Sequence, residues 1–180
     1  MSKSVKVGGT LKRSPLHLLH RSLQVGLDLY TQEMGPGGLT QRQFAVLAAV
    51  KSNDGLSQTD LVRATGIDRS TVAELVARMT SGGLLARQRA AGDGRINMVR
   101  LTDLGRGQLE EAAPKAARAD KRLLKLLGGK KREAFVEMLQ VLVSEPEAAG
   151  AVGETAAPKP EKSAKGPKSK APAEPDPEEP

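Results

Sequence analysis

Residues 57–102 read SQTDLVRATGIDRSTVAELVARMTSGGLLARQRAAGDGRINMVRLT, and this stretch decides the fold. Ser57 and, three residues later, Asp60 predict the start of a helix, because their side chains satisfy backbone donors that the first turn leaves open. Gly66 supplies a turn, since a residue with positive φ costs least without a Cβ. Asp68 predicts the N-cap of a second helix. We therefore expect two short helices joined by a tight turn.

Each of the two predicted helices has an apolar and a polar face. The inward residues of the first are Leu61, Val62 and Ala64. Those of the second, over residues 68–81, are Val72, Leu75, Val76 and Met79. The polar face of the second helix consists of Arg69, Ser70, Thr71, Glu74 and Arg78. Hydroxyls and guanidiniums contact phosphates and base edges, whereas Glu74 could accept a hydrogen bond from cytosine N4 or orient Arg78.

A basic hairpin follows the helix pair. Residues 84–89 and 96–101 have strand character, and the glycine-rich link 90–94 is typical of a hairpin. The arginines of the hairpin are Arg87, Arg89, Arg95 and Arg100. The helix pair alone could be a packing unit or a protein-interaction module, but arginines on both helix and hairpin favour DNA. Together these elements predict a winged helix-turn-helix that reads double-stranded DNA, with an arginine of the wing in the minor groove.

The chain also resembles a known family. Residues 39–47 (LTQRQFAVL), the helix pair, the wing residues 93–95 (DGR) and the exit 99–105 (VRLTDLG) follow the order found in the multiple antibiotic resistance regulator (MarR) family. The resemblance covers residues 15–143. It implies that Arg95 enters the minor groove, that Asp93 orients the wing, and that the recognition helix lies in the major groove with Ser70, Thr71 and Arg78. The predicted DNA-binding residues are Ser57, Gln58, Thr59, Arg69, Ser70, Thr71, Glu74, Arg78, Arg87, Asp93 and Arg95.

Helices are predicted on both sides of the winged part. Proline at the first position and periodic leucines indicate a helix over residues 15–34. Thr40 and Gln43 form a capping box for a helix that ends near residues 53–55. Thr102 caps a long helix towards Leu127, which Pro114 should bend or divide. A last helix over residues 130–143 is expected to turn inward Phe135, Met138, Leu139 and Leu142.

The expected fold is mainly α with a small β-hairpin wing, a winged helix-turn-helix with terminal dimerisation helices. Residues 1–14 are predicted to be a flexible arm, residues 15–34 and 103–143 the dimerisation helices, and residues 39–102 the DNA-binding part. The terminal helices carry leucines that the small module cannot cover alone, so they could close a monomeric core or bury each other in a dimer. By the resemblance, they interlock in a homodimer that reads two half-sites about one helical turn apart.

Charge and composition agree with a partner that is negatively charged. The chain has 28 Lys and Arg against 21 Asp and Glu, and residues 144–180 hold five lysines and eight acids, which leaves residues 1–143 strongly basic. A basic body attracts phosphate. The tail over residues 144–180 is rich in Pro, Ala, Lys and Glu and is predicted to be disordered. Without cysteine, a secretory segment or a long apolar run, we expect a cytoplasmic, nucleoid-associated protein without membrane partners.

No catalytic or metal-binding motif is present, so we predict neither an enzyme nor a cofactor or metal site. The two histidines, His17 and His20, lie near Arg21 on the first long helix. They could form hydrogen bonds across a dimer junction, or line a cleft for a small anionic or aromatic effector. The predicted function is a homodimeric repressor of a pseudopalindromic operator, released by such an effector. The alternative is a nucleoid-associated architectural protein with little sequence preference.

Overall fold

The computed structural model describes residues 9–53, 55–90 and 93–144, with backbone only at residues 89, 90 and 93–97. Ahead of the winged part, the helices are α1 (Gly9–Arg13), α2 (Pro15–Met34) and α3 (Gln41–Ser52). The winged part consists of β1 (Leu56–Ser57), α4 (Gln58–Thr65), α5 (Arg69–Ser81), β2 (Leu85–Ala90) and β3 (Asp93–Leu101). The chain ends with α6 (Asp103–Lys125), a 3₁₀ turn (Gly129–Lys131) and α7 (Arg132–Ser144). It divides into two units after Val136, within α7.

The predicted helix starts are confirmed by their caps. The Thr40 and Ser57 hydroxyls each accept a hydrogen bond from the backbone N–H three residues on, and each cap is completed as a capping box. Asp68 accepts from the backbone N–H of Thr71 at 2.9 Å and so caps α5. Gly66, with φ 66°, takes the left-handed conformation that the turn between α4 and α5 requires. These local signals set the spacing of the helix pair.

The core of the winged part joins α3, α4, α5 and the sheet. Its side chains with almost no exposed surface are Leu47, Leu61, Met79, Leu85, Val46, Val50, Val72, Val76 and Val99. The predicted apolar face of α5 is confirmed, since all four of its residues are buried. In α4, however, the prediction for Ala64 is wrong. Ala64 is exposed, because the half-buried Thr65 continues the inner face and donates its hydroxyl hydrogen to the carbonyl of Leu61 at 2.6 Å.

The three strands form an antiparallel sheet in the order β1-β3-β2. Leu85 pairs with Leu101 and Arg87 with Val99, and the register shifts between Arg89 and Ala90. Strand β3 already begins at Asp93, which pairs with Ala90, so the predicted five-residue link is too long. The register shift lets the ladder continue past the glycine of this segment, and residues 91 and 92 lie outside the described residues.

Gly105 fixes the exit from the wing. A Cβ at this position would overlap the carbonyl oxygen of Leu84, so α6 approaches the start of β2 more closely than any other residue allows. Thr102 reinforces this approach, because its hydroxyl donates to the carbonyl of Gly83 at 2.6 Å and accepts from the N–H of Gly105 at 3.0 Å. The wing is therefore fastened to α6 at its root.

The terminal helices differ from the predictions in detail. Residues 9–13 form the short helix α1 inside the segment predicted as an irregular arm, and the backbone N–H of Ser14 closes it on Leu11. α6 passes Pro114 without division, because proline removes one backbone donor only. In α7, Phe135 and Leu139 are half-buried, but Met138 and Leu142 are exposed. The inward prediction for these two is wrong for a single chain, since no described element covers them.

Candidate nucleic-acid interface

Helix α5 presents a polar face because its opposite face is buried in the core. Arg69, Ser70, Glu74 and Arg78 are exposed, and Thr71 is half-buried. The set that the sequence predicted for the recognition helix therefore lies together on one accessible surface. Hydroxyl, carboxylate and guanidinium groups on such a surface can reach base edges and phosphates.

The first turn of α5 is held by a network around Asp68. The hydroxyl of Ser70 donates to the Asp68 carboxylate at 2.6 Å, and the backbone N–H of Thr71 donates to the same oxygen. These hydrogen bonds, that of Ser70 above all, hold the pKa of Asp68 well below its ordinary value. The carboxylate is thus engaged within the helix cap, and the hydroxyl of Ser70 must rotate away from it before it can contact DNA.

Helices α4 and α5 are linked by a side-chain hydrogen bond that sequence reasoning missed. Arg69 Nη2 donates to Thr59 Oγ1 at 3.1 Å. The two residues are ten positions apart, beyond the spacing that any local helix pattern covers. Gln58 is half-buried beside them. The contact places both predicted residues at the junction of the helix pair.

Ser57 has a different role from the one expected. Its hydroxyl donates to Asp60 Oδ2 at 2.6 Å and accepts from the backbone N–H of Asp60 at 3.2 Å. The hydrogen bond from the Ser57 side chain is the main reason why the pKa of Asp60 is lowered. Because both hydrogen-bonding functions of the hydroxyl are used in the cap, Ser57 positions α4 and does not present a free group at the surface.

Glu74 and Arg78 form an ion pair one helical turn apart. Arg78 Nη2 lies 3.6 Å from Glu74 Oε1, and both side chains are about two-thirds exposed. Of the two interpretations of Glu74, the one in which it orients Arg78 has its geometry present in the free protein. An exposed pair of this kind is worth only about 0.3–0.5 kcal/mol, so Arg78 can exchange it for a contact to DNA at little cost.

The wing arginines divide between two faces of the hairpin. Arg87 pairs with Val99 and shares its sheet face, whereas Arg100 pairs with Ala86 and lies on the opposite face. Both are exposed. The backbones of Asp93 and Arg95 belong to β3, while their side chains and that of Arg89 lie outside the described residues. Arg87 and Arg100 therefore do not form one basic surface.

The predicted effector residues lie on the N-terminal half of α2. His17 is half-buried, and His20 and Arg21 are exposed. Arg21 is nine positions before the buried Tyr30, which at 100° per residue places it on the opposite side of the helix. Among the described residues, the side chains of His20 and Arg21 have no hydrogen-bond or ion-pair partner. This face therefore points away from the chain's own core.

A polar cluster fastens α2 to α6, and it too was missed from sequence. Glu33 accepts from Arg118 Nε at 2.8 Å and from Arg122 Nη1 at 2.9 Å, and Gln32 accepts from Arg122 Nη2 at 2.9 Å. The side chain of Glu33 is only 17% exposed, and both guanidiniums lower its pKa. These partners are more than 80 residues apart, so no local pattern could reveal them.

Tyr30 lies where α2 meets α3. Its ring packs edge-on against Phe44 with the ring centres 6.3 Å apart. The hydroxyl is buried and has no hydrogen-bond partner among the described residues. Burial, with a smaller contribution from the Asp120 carboxylate, raises the pKa of Tyr30 to about 12. The hydroxyl is therefore neutral at physiological pH.

Two searches of the described residues concern other classes of site. No group of three His, Asp or Glu side chains in this part of the chain is arranged to hold a metal ion. Nor does any helix described here have the length and apolar character needed to cross a membrane.

Comparison with known proteins identifies the family. The MarR family model matches residues 37–96. Transcriptional regulator HosA of Escherichia coli O157:H7 is 30% identical over 135 residues, which span 75% of this chain and 98% of HosA. The structure of Bordetella bronchiseptica BpsR, with a TM-score of 0.70 and 30% identity, covers 77% of this chain and 97% of its own. The repressor CouR bound to a 23-mer DNA duplex, with a TM-score of 0.69 and 31% identity, covers 77% and 99%. On these grounds the chain belongs to the MarR family of transcriptional regulators.

Proposed function

We propose that this protein is a homodimeric, sequence-specific DNA-binding repressor that a small effector releases from its operator. One observation carries the proposal: α5 buries its apolar face in the core and leaves Arg69, Glu74 and Arg78 exposed beside an arginine-bearing hairpin. CouR, which has the same fold, is a repressor bound to a DNA duplex. We infer that the chain acts in the cytoplasm, by binding and not by catalysis.

The DNA-binding part of the proposal is tested on sites first mapped across the genome. Fluorescence anisotropy then compares a mapped site with random duplex at several salt concentrations. Arg78→Ala should weaken binding to the mapped site and lower the salt slope by about one. The control Lys125→Ala removes a charge at the end of α6 and should leave both values unchanged. A wild-type affinity ratio near one would contradict sequence-specific reading and favour the architectural alternative.

The wing is tested in the same way. We propose that Arg95 lies in the minor groove and that Asp93 orients it. Arg95→Ala should weaken operator binding and lower the salt slope by about one, with the fold intact by circular dichroism. Unchanged operator affinity would reject this assignment of the wing.

The dimer is supported by apolar side chains that α2 leaves exposed. Leu16 is 80% and Leu23 is 56% exposed in the single chain, which is a large apolar surface for a helix that packs on nothing further. Leu23→Asp should therefore shift the protein towards monomer in sedimentation at micromolar concentration. Thr31→Asp, at an exposed polar position of the same helix, should remain dimeric. A monomeric wild-type protein would sink this part of the proposal.

The proposed effector face comprises His17, His20 and Arg21. DNA binding by BpsR is regulated by 6-hydroxynicotinic acid, and CouR binds p-coumaroyl-CoA. Both compounds are anionic and carry a ring, and a guanidinium with imidazoles suits an anion. The alternative, in which the histidines form hydrogen bonds across the dimer junction, keeps the same residues without a ligand.

Calorimetry separates these two possibilities. With 6-hydroxynicotinic acid and p-coumaroyl-CoA as probes, His20→Ala and Arg21→Ala should weaken the binding seen with wild type, while Gln24→Ala on the same helix should not. Unchanged affinity in both variants would assign the histidines to the junction. Repression would then be relieved by population shift, since a ligand that prefers dimers with misplaced recognition helices must weaken DNA binding by the same factor.

A further inference from the structure

We propose a second ligand site, for a small phosphate-type anion, in a cavity at the root of the wing. The cavity has a volume of about 150 Å³, which exceeds that of one phosphate ion. Its lining residues are Val50, Lys51, Gly55, Arg100, Leu101 and Arg106. Half of them are cations, and they come from three different elements: α3, β3 and α6.

The charge of the cavity favours an anion with more than one negative charge. Lys51 Nζ lies 3.5 Å from Glu110 Oε1, but the lysine side chain is 47% exposed and the pair is long, so this ion pair is weak. The three lining cations outnumber the acid that is paired with Lys51. Guanidinium groups bind phosphate oxygens through two parallel hydrogen bonds, which makes Arg100 and Arg106 suitable partners for a dianion.

Glycine at position 55 keeps the cavity in shape. Gly55 has φ +112°, and a Cβ built there would lie 3.1 Å from Cγ of Arg100. The aliphatic part of Arg100 therefore lies directly over the backbone of Gly55. Val50 and Leu101 add apolar surface, so the cations surround a concave space and do not project singly into solvent.

The position of the cavity distinguishes it from both proposed sites. Arg100 lies on the sheet face opposite Arg87, and none of the lining residues belongs to α5 or to the effector face on α2. A concave space of this size suits a small ion better than the convex backbone of a duplex. A bound anion would join the end of β3 to the first turns of α6, next to the close contact between Gly105 and Leu84.

Calorimetric titration of the full chain with inorganic phosphate, at constant ionic strength and without DNA, tests the proposal. We expect saturable binding, and a melting temperature that rises with phosphate but not with chloride. Arg106→Gln and Lys51→Ala should each weaken phosphate binding by about tenfold or more, the expected loss for one charge-assisted hydrogen bond. Arg106→Lys should retain part of the affinity. Arg42→Ala, an exposed cation of α3 outside the cavity, should bind as wild type.

Three results would overturn the site. The first is phosphate binding that does not saturate, and the second is an equal loss in Arg42→Ala, which would indicate a general charge effect. The third is a salt slope for DNA binding that falls by about one in Arg106→Gln, because these cations would then contact the DNA backbone. Circular dichroism of each variant shows that the comparison is made between folded proteins. None of these outcomes depends on whether the chain represses transcription.

Discussion

The winged part and the terminal helices are built in opposite ways. In the winged part, Leu47 and Leu61 have no exposed surface, and α3, α4, α5 and the sheet cover one another. On α2, Leu16 and Leu23 remain mostly exposed, and only Tyr30 and Met34 are buried. The winged part completes its own core, whereas the terminal helices leave apolar surface that another surface must cover.

This difference also concerns how the helices are held. α6 contributes alanines, Ala112, Ala116 and Ala119, to the buried core, and the ion-paired Glu33 holds α2 to α6. Small residues allow close approach but bury little apolar area per residue. The terminal helices are therefore fixed to the chain by polar contacts and close packing, while the winged part is stabilised by large side chains.

The largest difference between the two regions should appear when one leucine is truncated in each. Leu47→Ala leaves a cavity in a fully buried site and should cost about 2–5 kcal/mol in urea unfolding. Leu23→Ala should change the free energy of unfolding much less at a fixed low protein concentration, and act mainly on dimer dissociation. Equal losses in both variants would mean that α2 already completes a core within one chain.

A pair of glycines on α6 tests where this helix is tightly fitted. Gly105→Ala should destabilise by about 1–3 kcal/mol or more, since its Cβ would overlap a backbone oxygen that cannot turn aside. Gly107 has nothing within 4 Å of a built Cβ, so Gly107→Ala should stabilise the helix by up to about 1 kcal/mol. Thermal unfolding of both variants measures the contrast. A tolerated alanine at position 105 would show that the root of the wing can move.

Tyr30 tests the junction between the two regions. Its hydroxyl is buried without a described partner, so Tyr30→Phe should be neutral or stabilise by roughly 1 kcal/mol, because it removes an unsatisfied polar group and keeps the ring against Phe44. The measurement is the urea midpoint with and without an effector probe. A clear loss of stability, or of probe binding, would reveal a hydrogen-bond partner for this hydroxyl in the dimer or in the liganded protein.

The smallest effect is expected at the exposed cap of α5. The pKa of Asp68 is lowered in the folded chain, so its contribution to stability is complete above the ordinary value of 3.8 and is lost as pH falls below that value. The melting temperature of Asp68→Asn should lie below that of wild type at pH 7, and the gap should close on acidification. Asp28→Asn, at an exposed position of α2, serves as the control. A gap that persists at pH 2 would mean that the cap does not depend on ionisation.

Much of the site could be predicted because its signals are local. The capping pairs Thr40 with Gln43 and Ser57 with Asp60, and the turn at Gly66, act within four residues of the chain. The apolar face of α5 likewise follows from helical periodicity. What the prediction missed depends on distant partners: the hydrogen bond from Arg69 to Thr59, and the contacts of Glu33 with Arg118 and Arg122.

Local sequence alone therefore determined the helix starts, the turn and the polar face of the recognition helix, since each depends on neighbouring residues and on the helical repeat. Tertiary structure decided which side chains finish in contact. It placed Arg87 and Arg100 on opposite faces of the wing, engaged the Ser57 hydroxyl in a cap, and made Gly105 the point where α6 meets the wing. The physical reason is that strand register and close packing join residues far apart in the chain, where no periodic pattern records the pairing.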